Sequence, residues 1–143
     1  MGIPAVAVSL EAAQEYHFSY SREIDFSAAA HFAALFGRLL LEKKMPEDVR
    51  VLKVDIPSDA TPQTPWQVTR VSRQPYYQPQ VTERESWDVS GPVSYAQAAS
   101  FEGEDVNSDV YVLRKKRLVS VTPISLDLTS RVDLGALEEE LRA

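Results

Sequence analysis

An α/β fold is predicted from three features of this 143-residue sequence. A strand pattern, a helical pattern and a second strand pattern fill residues 1–57, the signature of a βαβ unit. A proline- and aromatic-rich stretch over 58–108 follows, with the alternation of a projecting β-hairpin arm. Residues 109–143 return to strand-like runs and a short amphipathic helix. The 44% hydrophobic and 25% charged composition is that of a globular protein, and no apolar run approaches the ~20 residues of a membrane helix.

The opening strand is read over residues 3–10. Ile3, Ala5, Val6, Ala7, Val8 and Leu10 form an apolar run broken only by Ser9, the pattern of a central strand covered on both faces. Residues 11–24 are a polar and aromatic loop. A helix is predicted over 25–44, because Ala29, Phe32, Ala33, Phe36 and Leu40 recur at helical spacing. Asp25 stands as its N-cap and Pro46 lies just beyond its end. The second strand, residues 50–56, closes at Pro57. A right-handed crossover sets it parallel to the first. One helix can shield only one face of such a pair. An apolar face built from Ile3, Val6, Val8, Val51, Leu52, Val54 and Ile56 is therefore expected to need cover from another chain or from more of a larger α/β domain.

Six of the nine prolines lie between Pro57 and Pro92, which argues against long central strands there. "QVTRVSR" and "QVTERE" read as exposed hairpin strands. For Trp66, Tyr76, Tyr77, Trp87 and Tyr95, packing on the chain itself and packing on a partner subunit are two readings of equal weight. "DVYVL" and "LVSVTPI" are then expected as two strands joined by a solvated basic turn, Arg114 to Arg117. A final helix with Leu134, Leu137 and Leu141 on one face has no strict capping box, so its start is soft.

Composition narrows the chemistry. The absence of cysteine excludes disulfides, thiolate metal sites and a cysteine nucleophile. A net charge of −6 disfavours a nucleic-acid backbone as main partner. No membrane association or targeting segment is read, and a cytoplasmic location fits. The five glycines, Gly2, Gly37, Gly91, Gly103 and Gly135, are too dispersed for a phosphate-cradling loop. His31 on the helix and His17, between Tyr16 and Phe18, are read as structural, since no metal-ligand spacing accompanies them. Asp55 and Asp59 bracket the C-terminal end of the second strand, where open α/β sheets bind ligands. They are the best carboxylate candidates, although capping a proline-rich turn explains them more simply. Glu138, Glu139 and Glu140 read as a solvated helix face.

"GIPAVAVSL", "DFSAAAHFAALFGRLLLE", "LKVDIP", "VTRVSRQPYY", "SDVYVL" and "VSVTPISLDLT", in this order, resemble the second half of the SurE family of survival-protein nucleotidases and phosphatases. The resemblance implies a three-layer α/β/α fold with a mixed sheet, present here as its C-terminal portion. It also implies hydrolysis of nucleoside monophosphates and other phosphomonoesters with a divalent cation (Mg or Mn). Oligomers in which a hairpin and the C-terminal segment reach between subunits are implied as well. The family's metal ligands, an aspartate pair with a Ser and an Asn, match no position here. No catalytic, cofactor-binding or metal residue is therefore assigned, and the chain alone is expected to be inactive.

Two departures from the family pattern stand out. The usual "NVNVP" is Lys53, Val54, Asp55, Ile56, Pro57, and "GYVSVTPL" has Arg117 and Leu118 in place of Gly and Tyr. Asp127 keeps the acid of "DLT", with Arg131 positioned to pair with it on a helix. A strand that opens the sequence inside a sheet is accounted for if this is the latter half of a SurE-like domain, whether as a split gene product or a shortened chain. The expected function is the C-terminal portion of a phosphomonoesterase, supplying scaffold and oligomer contacts. Its partner would be the missing N-terminal half or another subunit, with a homo-oligomer expected. The alternatives are a non-catalytic interaction module and a fragment with no independent role.

Overall fold

The computed structural model describes residues 4–13, 16, 23–80, 86, 88–90, 94–97 and 100–143. His17, Trp87, Ile3 and most of "QVTERE", all named above, lie outside the described residues. Strand β1 (Ala5–Leu10), helix α1 (Ser27–Glu42) and strand β2 (Val51–Ile56) make the expected unit. β1 and β2 pair in parallel from Ala5 opposite Val51 to Leu10 opposite Ile56. Strands β3 (Trp66–Val68) and β6 (Val119–Ile124) complete a mixed sheet of order β1-β2-β6-β3. β6 runs antiparallel to β2 and parallel to β3. Strands β4 (Tyr77–Gln80) and β5 (Ser94–Gln97) form a separate antiparallel hairpin.

The core lies between α1 and one face of the sheet. Ala28, Phe32 and Phe36 come from one helical stripe, and Leu52, Val54, Ile56, Val119 and Val121 from alternate strand positions. Phe32 and Phe36 stack at 6.3 Å, and Trp66 meets Phe36 edge-on at 5.5 Å. Trp66 therefore packs on its own chain. The N-cap is Phe26, without a side-chain cap bond, and not Asp25, which stands one residue earlier and accepts the Ser27 N–H at 2.8 Å. Exposed His31 lies edge-on to Phe32, a boundary residue as expected.

Four sequence expectations are corrected. First, β1 is an edge strand within this sheet, with Ala5, Ala7 and Ser9 exposed and Val6, Val8 and Leu10 half-buried. Alternation is present, but alanine hides it, because a methyl side chain counts as apolar while tolerating either face. Second, the face away from α1 is polar rather than apolar. Lys53, Asp55, Thr69, Ser120 and Thr122 occupy it, with the Thr69 hydroxyl sharing hydrogen bonds with Ser120 at 2.9 Å and Thr122 at 2.7 Å. Third, "QVTRVSR" does not enter the hairpin. Its start pairs with β6 in the main sheet, and Arg70 bridges Ser108.

The fourth correction concerns "DVYVL", which is helical. Helix α2 (Asp109–Tyr111) runs on as a π-helical turn over Val112–Lys116. The Ser108 hydroxyl accepts the Tyr111 N–H at 3.1 Å, and Asp109 accepts N–H groups from Val110 and Ser72, both at 2.8 Å. This capping outweighs the β-branched composition. Val112 is fully buried, and this segment covers part of the sheet's polar face through the Asp109 contact to Lys53. The turn ends at Arg117, whose φ of 54° and ψ of 39° are left-handed.

Helix α3 (Leu134–Arg142) is capped by Asp133, which accepts the Gly135 and Ala136 N–H groups. Leu134, Leu137 and Leu141 are exposed on it, as are Leu126, Leu128 and Val132 before it. Arg131 pairs with Asp48 at 3.0 Å and not with Asp127, because the intervening residues turn instead of forming a helix.

Candidate functional site

A cavity of about 850 Å³ lies at the C-terminal ends of β1 and β2, on the sheet's polar face. Its floor carries Ser9, Lys53, Asp55 and Asp109, and Tyr76, Tyr77 and Tyr95 of the hairpin arm form one wall. Glu11 and Arg114 stand at another side. Ligands of open α/β sheets bind at this end of the strands, beyond their carboxyl termini.

The floor is a charge cluster. The Lys53 ammonium donates to Asp55 and, at 2.8 Å, to Asp109, while the Ser9 hydroxyl donates to Asp55 at 2.8 Å. Lys53 and Asp55 share a face because they stand two apart on one strand. Burial works against the Lys53 charge, but the hydrogen bonds to Asp109 and Asp55 outweigh it and hold its pKa above the ordinary lysine value. A lysine so held is a fixed cation and not a base or nucleophile. Asp55 accepts from Ser9 on one oxygen and from Lys53 on the other.

Glu11 ties the loop after β1 to the turn after the π-helix. It pairs with Arg114, and with Arg117 at 2.8 Å, and it accepts the Ser58 N–H at 3.0 Å. Burial alone would raise the Glu11 pKa, yet the Ser58 N–H and Arg117 bring it below the usual carboxylate value. Arg117 also pairs with Asp59 at 2.6 Å. The expected solvated turn holds for exposed Lys115, which sits over the Phe101 ring, and Lys116, which donates to Gln67, but not for Arg114 and Arg117, which are paired.

Of the two candidate carboxylates, only Asp55 lines the cavity; Asp59 is exposed beside Arg117. Glu138, Glu139 and Glu140 lie on exposed α3, far along the chain from this site. Ser9, Lys53 and Asp109 were not singled out by sequence for this role. Two-residue spacing of Lys53 and Asp55 on a strand was the available signal, but nothing local announces Asp109 as their partner. The tyrosines were noted, and the structure brings three of them together, with ring centroids 4.8 Å apart for Tyr76 and Tyr77 and 5.0 Å for Tyr77 and Tyr95.

A model of the family described as "Survival protein SurE" matches residues 1–78, more than half of the sequence. The chain belongs to the SurE family. It is 39% identical to the 5'-nucleotidase SurE of Thermococcus gammatolerans over 98% of its own length and 52% of the relative's. It is 38% identical to the 5'-nucleotidase SurE of Thermococcus kodakarensis over 99% of this chain and 54% of that one. The crystal structure of the SurE protein from Aquifex aeolicus superposes with a TM-score of 0.63 at 23% identity, covering 98% of this chain and 52% of that chain. The chain thus spans about half the length of the relatives it matches, and the α/β fold is that of SurE over the shared part. Among the described residues no helix is long and apolar enough to cross a membrane.

A divalent cation is the cofactor that family membership suggests. The residues of this cavity do not fit one. Among the described residues no three His, Asp or Glu side chains gather to hold an ion, and Asp55 and Asp109 are already bridged by Lys53.

Proposed function

We propose that this chain is the C-terminal portion of a SurE-type metal-dependent phosphomonoesterase of the 5'-nucleotidase class. In this reading it supplies the scaffold, the cavity wall and oligomer contacts, while metal ligands come from an N-terminal half or another subunit. The observation that carries the reading is the near-complete alignment of this chain to just over half of proteins named 5'-nucleotidase SurE. Among the described residues no strand pairs with the outer edge of β1, which supports it, since an unpaired edge is a template for another strand. The order of the resembling segments supports reading the chain as the second half.

The test is hydrolysis of nucleoside monophosphates and p-nitrophenyl phosphate with Mg²⁺ or Mn²⁺, by the chain alone and mixed with an N-terminal half from a SurE protein. No turnover is expected alone, with turnover in the mixture. Metal-dependent activity that stays with this chain through repurification, or a stable but inactive mixture, contradicts the proposal.

A further inference from the structure

We infer that the hairpin arm is a movable wall of the cavity, and that Lys53 sets how often it opens by holding Asp109 in place as the joint between arm and sheet. The inference goes beyond the function proposed above and does not depend on it.

Both limbs of the arm meet at Asp109. On the outgoing limb, the Arg70 N–H donates to the Asn107 carbonyl at 3.1 Å, and the Arg70 carbonyl accepts the Asp109 N–H at 2.8 Å. Two residues on, the Ser72 N–H donates to Asp109 Oδ1 at 2.8 Å, and the Ser72 hydroxyl donates to Glu104 of the returning limb at 2.8 Å. Tyr76, the first residue of the tyrosine wall, follows Ser72 by four positions. Asp109 Oδ2 accepts from Lys53 at 2.8 Å, and Lys53 belongs to β2. One carboxylate thus gives one oxygen to the arm and the other to the sheet.

Charge makes this joint depend on Lys53. Asp109 is only 5% exposed, and a carboxylate at that depth is costly without a cation beside it. Once the ammonium is removed, the side chain gains by turning toward water, which takes Oδ1 away from the Ser72 N–H. The wall beyond the joint is a two-stranded hairpin separate from the main sheet, and β4 is exposed along its whole length. A hairpin of that kind is marginal by itself, so it opens as a unit at a lower free energy than the sheet it rests on. Arg114 meets the closed arm at a second place, 5.9 Å from the Tyr76 ring centroid and 3.3 Å from the Gln97 side-chain oxygen. A cation–π contact and a long hydrogen bond are each weaker than the charged bond at the joint.

The experiment is native-state hydrogen exchange on the whole chain, comparing the amides of Ser72, β4 and β5 with those of β2 and β6. In the unaltered chain the arm amides are expected to exchange together and ahead of the sheet. Lys53→Met should speed the arm by about tenfold or more. Val121→Ala opens a cavity in the buried core and destabilises the whole domain, yet it should change arm exchange by less than about twofold, because the open arm leaves that core intact. The double variant Lys53→Met with Asp109→Asn removes the buried charge and keeps a side-chain acceptor for Ser72, so it should return the arm most of the way to its original rate. Circular dichroism checks that each variant is folded, and Lys53→Gln carries the same comparison if Lys53→Met is not. Arm amides that exchange in step with the sheet, that ignore the loss of Lys53, or that respond as strongly to Val121→Ala overturn the inference. A double variant as open as the single one overturns it too.

Discussion

Arg117 stands in a left-handed backbone conformation where the SurE pattern carries glycine, which makes its replacement a quantitative test. At φ 54° and ψ 39° a residue with a Cβ is strained by about 1–2 kcal/mol. Against this, its guanidinium pairs with Glu11, whose side chain is 16% exposed, and with Asp59, which is 65% exposed. The Asp59 pair is screened and contributes little; the Glu11 pair carries most of a total of about 1–2 kcal/mol. Arg117→Ala removes the pairs and keeps the strain, so it should destabilise by about 1–2 kcal/mol. Arg117→Gly removes the pairs and the strain, but glycine gains about 0.5–1 kcal/mol of freedom in the unfolded chain. It should therefore lie roughly 1 kcal/mol above Ala, or about 2–4 °C in Tm for a domain of this size. Urea unfolding followed by circular dichroism measures both. If Ala equals or exceeds Gly in stability, the strain argument is wrong.

Further predictions concern the polar face and the acid response. Lys53→Met strands two buried carboxylates and should cost about 3 kcal/mol, near the low end for a broken buried pair because Lys53 is 40% exposed. The double change Lys53→Asn with Asp55→Asn restores the amide pair of the family pattern and should recover part of that loss; a neutral Lys53→Met in urea titration refutes the cluster's role. Thr122→Val breaks a buried hydroxyl contact and should cost about 1–3 kcal/mol, with Thr122→Ser close to wild type in the same assay. Glu11 has its pKa below the ordinary 4.5, so its contribution is complete above about pH 4.5 and disappears as pH falls through the lower folded-state value. Glu11→Gln should flatten the stability profile there, and an unaltered profile between pH 3 and 6 argues against the Glu11 linkage.

The βαβ unit was legible because its periodicities are strong: Phe32 and Phe36 mark one helix face, and Leu52, Val54 and Ile56 one strand face. The edge position of β1 was hidden, since Ala5 and Ala7 carry no signal about which side meets solvent. "DVYVL" misled because Val and Tyr favour strands, while the decisive groups are Ser108 and Asp109, whose bonds to Tyr111 and Ser72 exist only once the fold forms. The site was half legible. Asp55 and the tyrosines were noted, but Ser9, Lys53 and Asp109 meet across separations of 46 and 56 residues that no local pattern encodes.

Strands β2 and β6 are neighbours in the sheet but lie roughly sixty residues apart in sequence, with β3 and the hairpin arm between them. The cost of closing such a loop grows only with the logarithm of its length, about 0.6 kcal/mol per doubling. The arm can therefore lengthen, shorten or exchange its tip with little penalty to the sheet. Folding speed is a different matter, because the β2 to β6 pairing is a long-range contact whose loop-closure entropy is spent before the pairing rewards it. The tyrosine wall is thus carried on the segment most free to vary, while the charged floor it faces is fixed by the sheet.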